Sequence, residues 1–333
     1  MSASCLSGRR VLVTGAAGYI AASVVRRLAR VDCHVVRLSR RTSLAPPEGV
    51  AVFEDVTGDV RSEQVWERVL EGVDVVFHLA GQTSVETADR NPEEDFEINV
   101  RPLMRMLHTC RQRGWRPSIL FAGTETQAGV PECSPVDESH PDRPVTVYDL
   151  HKLLAEQYLK YYVRRGVVRG ASLRLTTVYG PGPDASAPER GVLNRMMRRA
   201  LEGGPLTVYG AGDAVRDYLH VDDAARAFLD AACAVERLGG GHFVLGSGEG
   251  HTLAEAFRLV AEKARRRTGR CVEVVNVAPP PGQSPIDARN FVADPRRFID
   301  ATGWRPRYSL DEGVAQTLSV LGTTREDDPP LSP

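Results

Sequence analysis

The sequence predicts an α/β fold: a doubly wound parallel sheet covered by helices on both faces, followed by a smaller C-terminal lobe. Three observations carry this expectation. Strand-like and helix-like periods alternate through the first half. A glycine-bearing turn, Thr14-Gly15-Ala16-Ala17-Gly18, joins the first apolar run to the first helical pattern. After Tyr179-Gly180-Pro181-Gly182-Pro183 the elements shorten and are separated by loops rich in glycine and proline.

In chain order, the apolar run Val11-Leu12-Val13 reads as the first strand and residues 18–30 as the first helix. Strands follow at 33–38 and 50–53, then a helix at 62–71 and a strand at 73–79. The pattern continues with a helix at 91–113, a strand at 118–123, a helix at 147–165 and a strand at 171–176. Beyond the change of character, helices are expected at 192–202 and 221–234 and strands at 206–209 and 242–245. A lobe made of such pieces belongs at the carboxyl ends of the parallel strands, where open α/β sheets bind ligands. The expected domains are 1–178 for nucleotide binding and 179–324 mainly for substrate, with some segments free to return to the first domain. The Pro279-Pro280-Pro281 run reads as a connector, and residues 325–333 as an acidic, proline-rich mobile tail.

Composition narrows the function classes. The 333 residues carry 42 Lys+Arg and 43 Asp+Glu, a net charge of −1, so no electrostatic footprint favours nucleic acid or an anionic membrane. The start MSASCLSGRR shows no secretory pattern, and apolar runs such as 73–80 are too short to cross a bilayer, so a cytoplasmic protein is expected. Cys5, Cys33, Cys110, Cys133, Cys233 and Cys271 form no metal-ligand spacing and are expected to be reduced, with no metal site.

The turn after the first strand is where chemistry enters. Gly15 and Gly18, with Tyr19 and Ile20 opening the helix, let backbone approach a pyrophosphate and offer it helix N–H groups, as in a Rossmann dinucleotide site. At the end of the second strand, Ser39, Arg40 and Arg41 stand where an NAD site places an acid for the ribose 2′-hydroxyl. A hydroxyl and two guanidinium groups suit a 2′-phosphate, so the expected cofactor is NADPH. Asp59, followed by Val60, has a carboxylate suited to the adenine amino group, with Asp55 as a competitor.

Tyr148 and Lys152 are four apart at a helix start and therefore share a face. A phenol is a poor acid or base at neutral pH, but a nearby ammonium favours the phenolate and brings it into range. The lysine can also hold the cofactor ribose. Thr124 ends an apolar strand, where its hydroxyl can reach both a substrate oxygen and the phenol. A non-catalytic nucleotide sensor has no need of this hydroxyl, phenol and ammonium set. His78, His151, His220 and Asp222 read as packing residues instead.

These elements together resemble the extended short-chain dehydrogenase/reductases that act on nucleotide sugars. The match runs through Thr14 to Ile20, Gly58-Asp59-Val60, His78-Leu79-Ala80-Gly81, Asn99-Val100, Thr124, Tyr148 with Lys152, Val178-Tyr179-Gly180-Pro181 and Arg216 to Asp223. A looser resemblance, through Phe121-Ala122-Gly123, Pro141 to Thr146 and Val221 to Phe228, is to dTDP-4-keto-6-deoxyhexose 4-ketoreductases. It implies net reduction of a 4-keto nucleotide sugar by NADPH in a homodimer built on the helices at 91–113 and 147–165. The resemblance also implies Leu79, Ala80 and Gly81 at the cofactor, and Thr83, Thr124, Glu125, Thr177, Asn194, Arg216 and Arg289 at the substrate. Glu125-Thr126 lacks the second carboxylate of the 4,6-dehydratases, and Thr177 replaces an asparagine common in epimerases. A 4-epimerase with bound NAD is the alternative.

Overall fold

Why the first strand sits at the centre follows from its residues: Val11, Leu12 and Val13 are fully buried, as a parallel strand covered on both faces requires. The computed structural model describes residues 3–40, 45–182, 191–279 and 284–323. Arg41, Pro183, Pro280, Pro281 and the 325–333 tail, all singled out in the sequence, lie outside them.

The first half contains β1 (Arg10–Thr14), α1 (Tyr19–Leu28), β2 (His34–Ser39), β3 (Val52–Thr57), α2 (Glu63–Val69) and β4 (Val75–His78). There follow α3 (Val85–Arg90), α4 (Pro92–Asn99), α5 (Arg101–Arg113), β5 (Ser118–Thr124), α6 (Val147–Arg164), β6 (Arg169–Leu175) and β7 (Thr177–Tyr179). The second half adds α7 (Val192–Leu201), β8 (Leu206–Tyr209), β9 (Val215–His220), α8 (Val221–Cys233), α9 (Val235–Leu238), β10 (His242–Leu245) and β11 (Gly250–Thr252). It ends with α10 (Leu253–Thr268), β12 (Val274–Val277), α11 (Arg296–Thr302) and α12 (Leu310–Thr323).

Seven strands form a parallel sheet in the order β10-β6-β5-β4-β1-β2-β3. The order reverses between β1 and β4, which opens a crevice at their carboxyl ends, and the register places Thr14 beside His78 there. One apolar layer packs α1 and α8 on the sheet, and another packs α2, α5 and α6 on the opposite face. On α1 the buried Ala21, Val24, Val25 and Leu28 recur at helical spacing, which fixes the face it presents. A separate core joins α7, α10, α12, β8 and β12 as the C-terminal lobe.

Two expectations change, the single helix at 91–113 and the reduced state of two cysteines. The 91–113 helix is two helices, since Pro102 has no N–H to give the preceding turn and Val100 turns the chain at φ −109°, ψ −56°. Within 179–324, α8 and β10 return to the nucleotide-binding half, β10 as the edge strand beside β6. Cys5 and Cys233, expected to be reduced, form a disulfide, because the turn at Ala3–Leu6 lies along α8 and brings the Cα atoms within 5.6 Å. No helix among the described residues is long and apolar enough to cross a membrane.

Candidate active site

The nucleotide end is knitted by Thr14. Its hydroxyl oxygen lies 3.0 Å from His78 Nδ1 and accepts from the backbone N–H groups of Leu79 and Ala80, at 3.2 and 3.1 Å. Gly15 has φ +66°, and a Cβ there would lie 2.8 Å from Ala80 Cα, so only glycine allows the two loops to meet. Gly18 precedes α1 without a side-chain cap, so the helix starts, with Tyr19 and Ile20, directly after the glycine turn. Leu79 and Ala80 are half-buried and Gly81 is exposed on the other wall of the crevice.

A cavity of about 320 Å³ continues from Ala16 and Ala17 to Arg26, Arg37, Ser39 and Asp55. These surroundings fit a dinucleotide: uncapped helix N–H groups for the pyrophosphate and an adjoining hollow with hydroxyl and guanidinium groups for the adenosine side. Ser39 closes β2 and Arg40 beside it is exposed. Asp59 is engaged by Arg61, whose Nη2 donates at 2.7 Å and whose hydrogen bonds hold the carboxyl below its ordinary range. Asp55 is gripped through two bonds from Arg37, at 2.7 and 2.8 Å, and Val60 gives its carbonyl to Trp66 Nε1. Both candidate carboxylates are thus held by arginines, Asp55 on β3 and Asp59 in the loop after it.

Thr124, Tyr148 and Lys152 come together at the carboxyl end of β5. Thr146 caps α6 by accepting from the Asp149 N–H at 3.2 Å, which sets the helix start and with it the direction of Tyr148. The Thr124 hydroxyl lies 3.0 Å from the Thr126 hydroxyl, and its interaction with the Tyr148 phenol works against the rise of the phenol's pKa. Lys152 is buried with Nζ 4.2 Å from the Phe121 ring centre. Burial lowers its pKa to about 8, against the opposing pull of Asp95 and Glu156. The phenol behaves differently from expectation: burial, then Asp149 and Asp95, raise its pKa, so Tyr148 is held protonated in the unliganded protein. His78 is neutral because burial lowers its pKa to about 3, which suits a hydrogen-bonded packing role.

The substrate set divides. Glu125, directly after Thr124, is buried and ion-paired with Arg289. Arg289 also donates to the Ile286 carbonyl at 2.6 Å, while Arg216 donates to the carbonyls of Asp287, at 2.6 Å, and Arg289. The two arginines therefore flank one wall beside Thr124 as buried cations. Thr177 is half-buried on β7 next to Tyr218, and Thr83 is exposed on the loop after β4. Asn194, expected in the nucleotide pocket, is fully buried, and its amide brackets Gly180 through both its N–H and its carbonyl at 3.0 Å while donating to the Tyr19 hydroxyl. Its position is that of a clamp between lobe and cofactor loop.

Several residues here escaped sequence reasoning. Asp95 accepts from Asn99 Nδ2 and Gln82 Nε2, each at 2.8 Å, and lies 2.7 Å from His151 Nδ1. Asp149, fully buried beside Thr126, Thr146 and Arg289, has its pKa raised by burial. Glu156 lies under the site with five donors around it. Glu156 left a signal in its i+4 spacing from Lys152, and Asp149 in its place next to Tyr148; Asp95 is remote from both in sequence.

Comparison with known proteins agrees with this geometry. Residues 11–246 match the NAD dependent epimerase/dehydratase family. The chain is similar to a UDP-glucose 4-epimerase of Mycolicibacterium smegmatis, 30% identical over 318 residues that cover 94% of this chain and 98% of the relative. It superposes on a Thermotoga maritima UDP-glucose 4-epimerase crystallised with UDP-glucose at TM-score 0.83, with 29% identity over 95% of this chain and 99% of that one. It also superposes on a Thermus thermophilus UDP-glucose 4-epimerase in complex with NAD at TM-score 0.79, with 33% identity over 94% and 99%. With its switch-point crevice, its Thr124, Tyr148 and Lys152 cluster and a family match across most of the sheet, the chain belongs to the NAD-dependent epimerase/dehydratase family.

Proposed function

We propose that this protein exchanges hydride at C4 of a nucleotide-linked hexose and acts as a 4-epimerase with a bound nicotinamide dinucleotide. The observation that carries the reading is the Thr124, Tyr148 and Lys152 cluster standing beside the nucleotide loop at the switch point. The similarity to UDP-glucose 4-epimerases supports epimerisation over the net reduction expected from sequence. When bound, the nicotinamide supplies a hydride acceptor and donor and, in its oxidised form, a positive charge.

The chain's own residues supply the proton chemistry. Thr124 orients the C4 oxygen, and Tyr148 holds the proton at its phenol oxygen, giving it to a C4 ketone oxygen and taking it back from a C4 hydroxyl. Lys152 keeps a positive charge near the phenol, which favours the phenolate needed in the second direction. Arg216 and Arg289 face the diphosphate, for which bidentate guanidinium groups are suited, and Glu125 holds Arg289 in place until then.

A second reading, NADPH-dependent 4-ketoreduction, is favoured by Ser39 and Arg40 in place of an acidic residue after β2 and by the protonated Tyr148, which is ready to donate. Purified protein with UDP-glucose and no added cofactor separates the two. Epimerisation yields the C4 epimer. If that mixture stays unchanged while a 4-keto sugar nucleotide consumes NADPH mole for mole, reduction is the function. A cytoplasmic homodimer remains part of this proposal, with exposed Leu150 and Tyr161 on α6 as its apolar contacts.

A further inference from the structure

We propose that Glu156 is a positioning residue for this site, acting through Gln127 on the backbone of Thr124. The inference rests on the C4 hydride-exchange reading and adds a residue that touches neither substrate nor cofactor.

Tyr148, Lys152 and Glu156 stand at four-residue intervals on α6, so Glu156 continues the catalytic face one turn deeper. It is fully buried, yet its carboxylate is saturated. One oxygen accepts from Gln127 Nε2 at 3.0 Å, Ser172 Oγ at 2.7 Å and Arg174 Nε at 3.0 Å, and the other from Arg174 Nη2 at 2.7 Å and Lys160 Nζ at 2.6 Å. Arg174 also binds Asp142. Burying a charge is costly without such a network.

The orientation of Gln127 follows from chemistry. An ionised carboxylate only accepts, so the amide must turn its NH₂ to Glu156 and its oxygen away. That oxygen, Oε1, accepts from the Thr124 N–H at 2.9 Å. Gln127 is itself fully buried. The Glu156 carboxylate and the Thr124 N–H thus demand the same amide orientation from opposite sides, and Gln127 ties the carboxylate to the backbone that carries the Thr124 hydroxyl.

The same carboxylate acts on Lys152 through its field. Around Lys152 are Asp95 from α4, the neutral His78 from β4, the Phe121 ring from β5 and Tyr148 and Glu156 from its own helix; around Glu156 are Arg174 from β6, His242 from β10, Lys160 from its own helix and, beyond Arg174, Asp142. Asp95 and Glu156 are the carboxylates that favour the Lys152 ammonium. Removing the charge at Glu156 lowers the pH at which Lys152 loses its proton.

The test uses Gln127→Met, Glu156→Gln and Glu156→Asp in the full chain, read by turnover against pH and by hydrogen exchange at the Thr124 amide. Gln127→Met should lower kcat roughly 2- to 10-fold, the size of one lost backbone hydrogen bond, with KM unchanged and the basic limb of the profile in place. Glu156→Gln should lower kcat and move the basic limb to lower pH, and Glu156→Asp, which keeps the charge, should restore the limb. Faster Thr124 exchange is expected in Gln127→Met whether or not the sugar substrate has been identified. Should wild type act on no nucleotide hexose, the functional reading fails while this exchange still decides the positioning role. Unchanged Thr124 exchange in Gln127→Met, or variants that lose only thermal stability while kcat and the basic limb stay at wild-type values, overturn the proposal.

Discussion

The two parts of the site proposed to serve the hydride step and the diphosphate are built in opposite ways. Thr124, Tyr148 and Lys152 come from one strand end and the first turns of one helix, locked by the Thr146 cap and by the register of β5 against β6. Arg216, Arg289 and Glu125 come from segments separated by 73 and 164 residues and are joined by donors to carbonyls and one buried ion pair. Chemistry that tolerates little displacement rests on short-range geometry. Recognition of a charged group rests on a long-range assembly.

This difference can be broken from the catalytic side first. Tyr148→Phe removes only the phenol oxygen, so turnover should fall roughly 10²–10⁴-fold while binding of nucleotide sugar, measured by calorimetry, stays near wild type. Comparable loss of binding would mean that Tyr148 belongs to recognition. On the other side, Arg289→Ala should raise KM about 10- to 100-fold, as loss of a charge-assisted bond implies, and leave kcat within a few-fold. A fall in kcat with KM intact would erase the distinction.

Two smaller effects sharpen the comparison. Replacing Arg40 and Arg41 by alanine should weaken NADPH about tenfold relative to NADH if a 2′-phosphate binds there, and equal losses would place both on an unrelated surface. Turnover should decline above about pH 8 as Lys152 loses its proton, since burial puts its pKa at about 8. The ammonium is fully present below that value. A profile flat to pH 10 would show that the Lys152 charge is dispensable.

The same contrast explains what sequence alone could reveal. The nucleotide turn, the Tyr148 and Lys152 spacing and the positions of the first six strands along the chain depend on neighbours in the chain, and periodicity exposes them. The break at Val100 was hidden because apolar spacing continues through it while Pro102 removes the hydrogen bond. The direction of the Tyr148 pKa shift was missed because it depends first on burial, and beyond the neighbouring Asp149 on Asp95 from another helix. The role of Asn194 as a clamp was also hidden, because its partner at Gly180 is backbone, which leaves no sequence pattern. The return of β10 to the central sheet, and the meeting of Cys5 with Cys233 over 228 residues, are topological facts of the same kind.

The central claim is hydride exchange at C4 within one active site. It is tested most directly with UDP-glucose deuterated at C4, incubated with the purified protein and no added cofactor, and followed by NMR of the recovered sugars. The account predicts a C4-epimeric product that retains deuterium at C4, because the hydride leaves and returns without meeting solvent. An epimer with protium at C4, or no epimer at all, would contradict it.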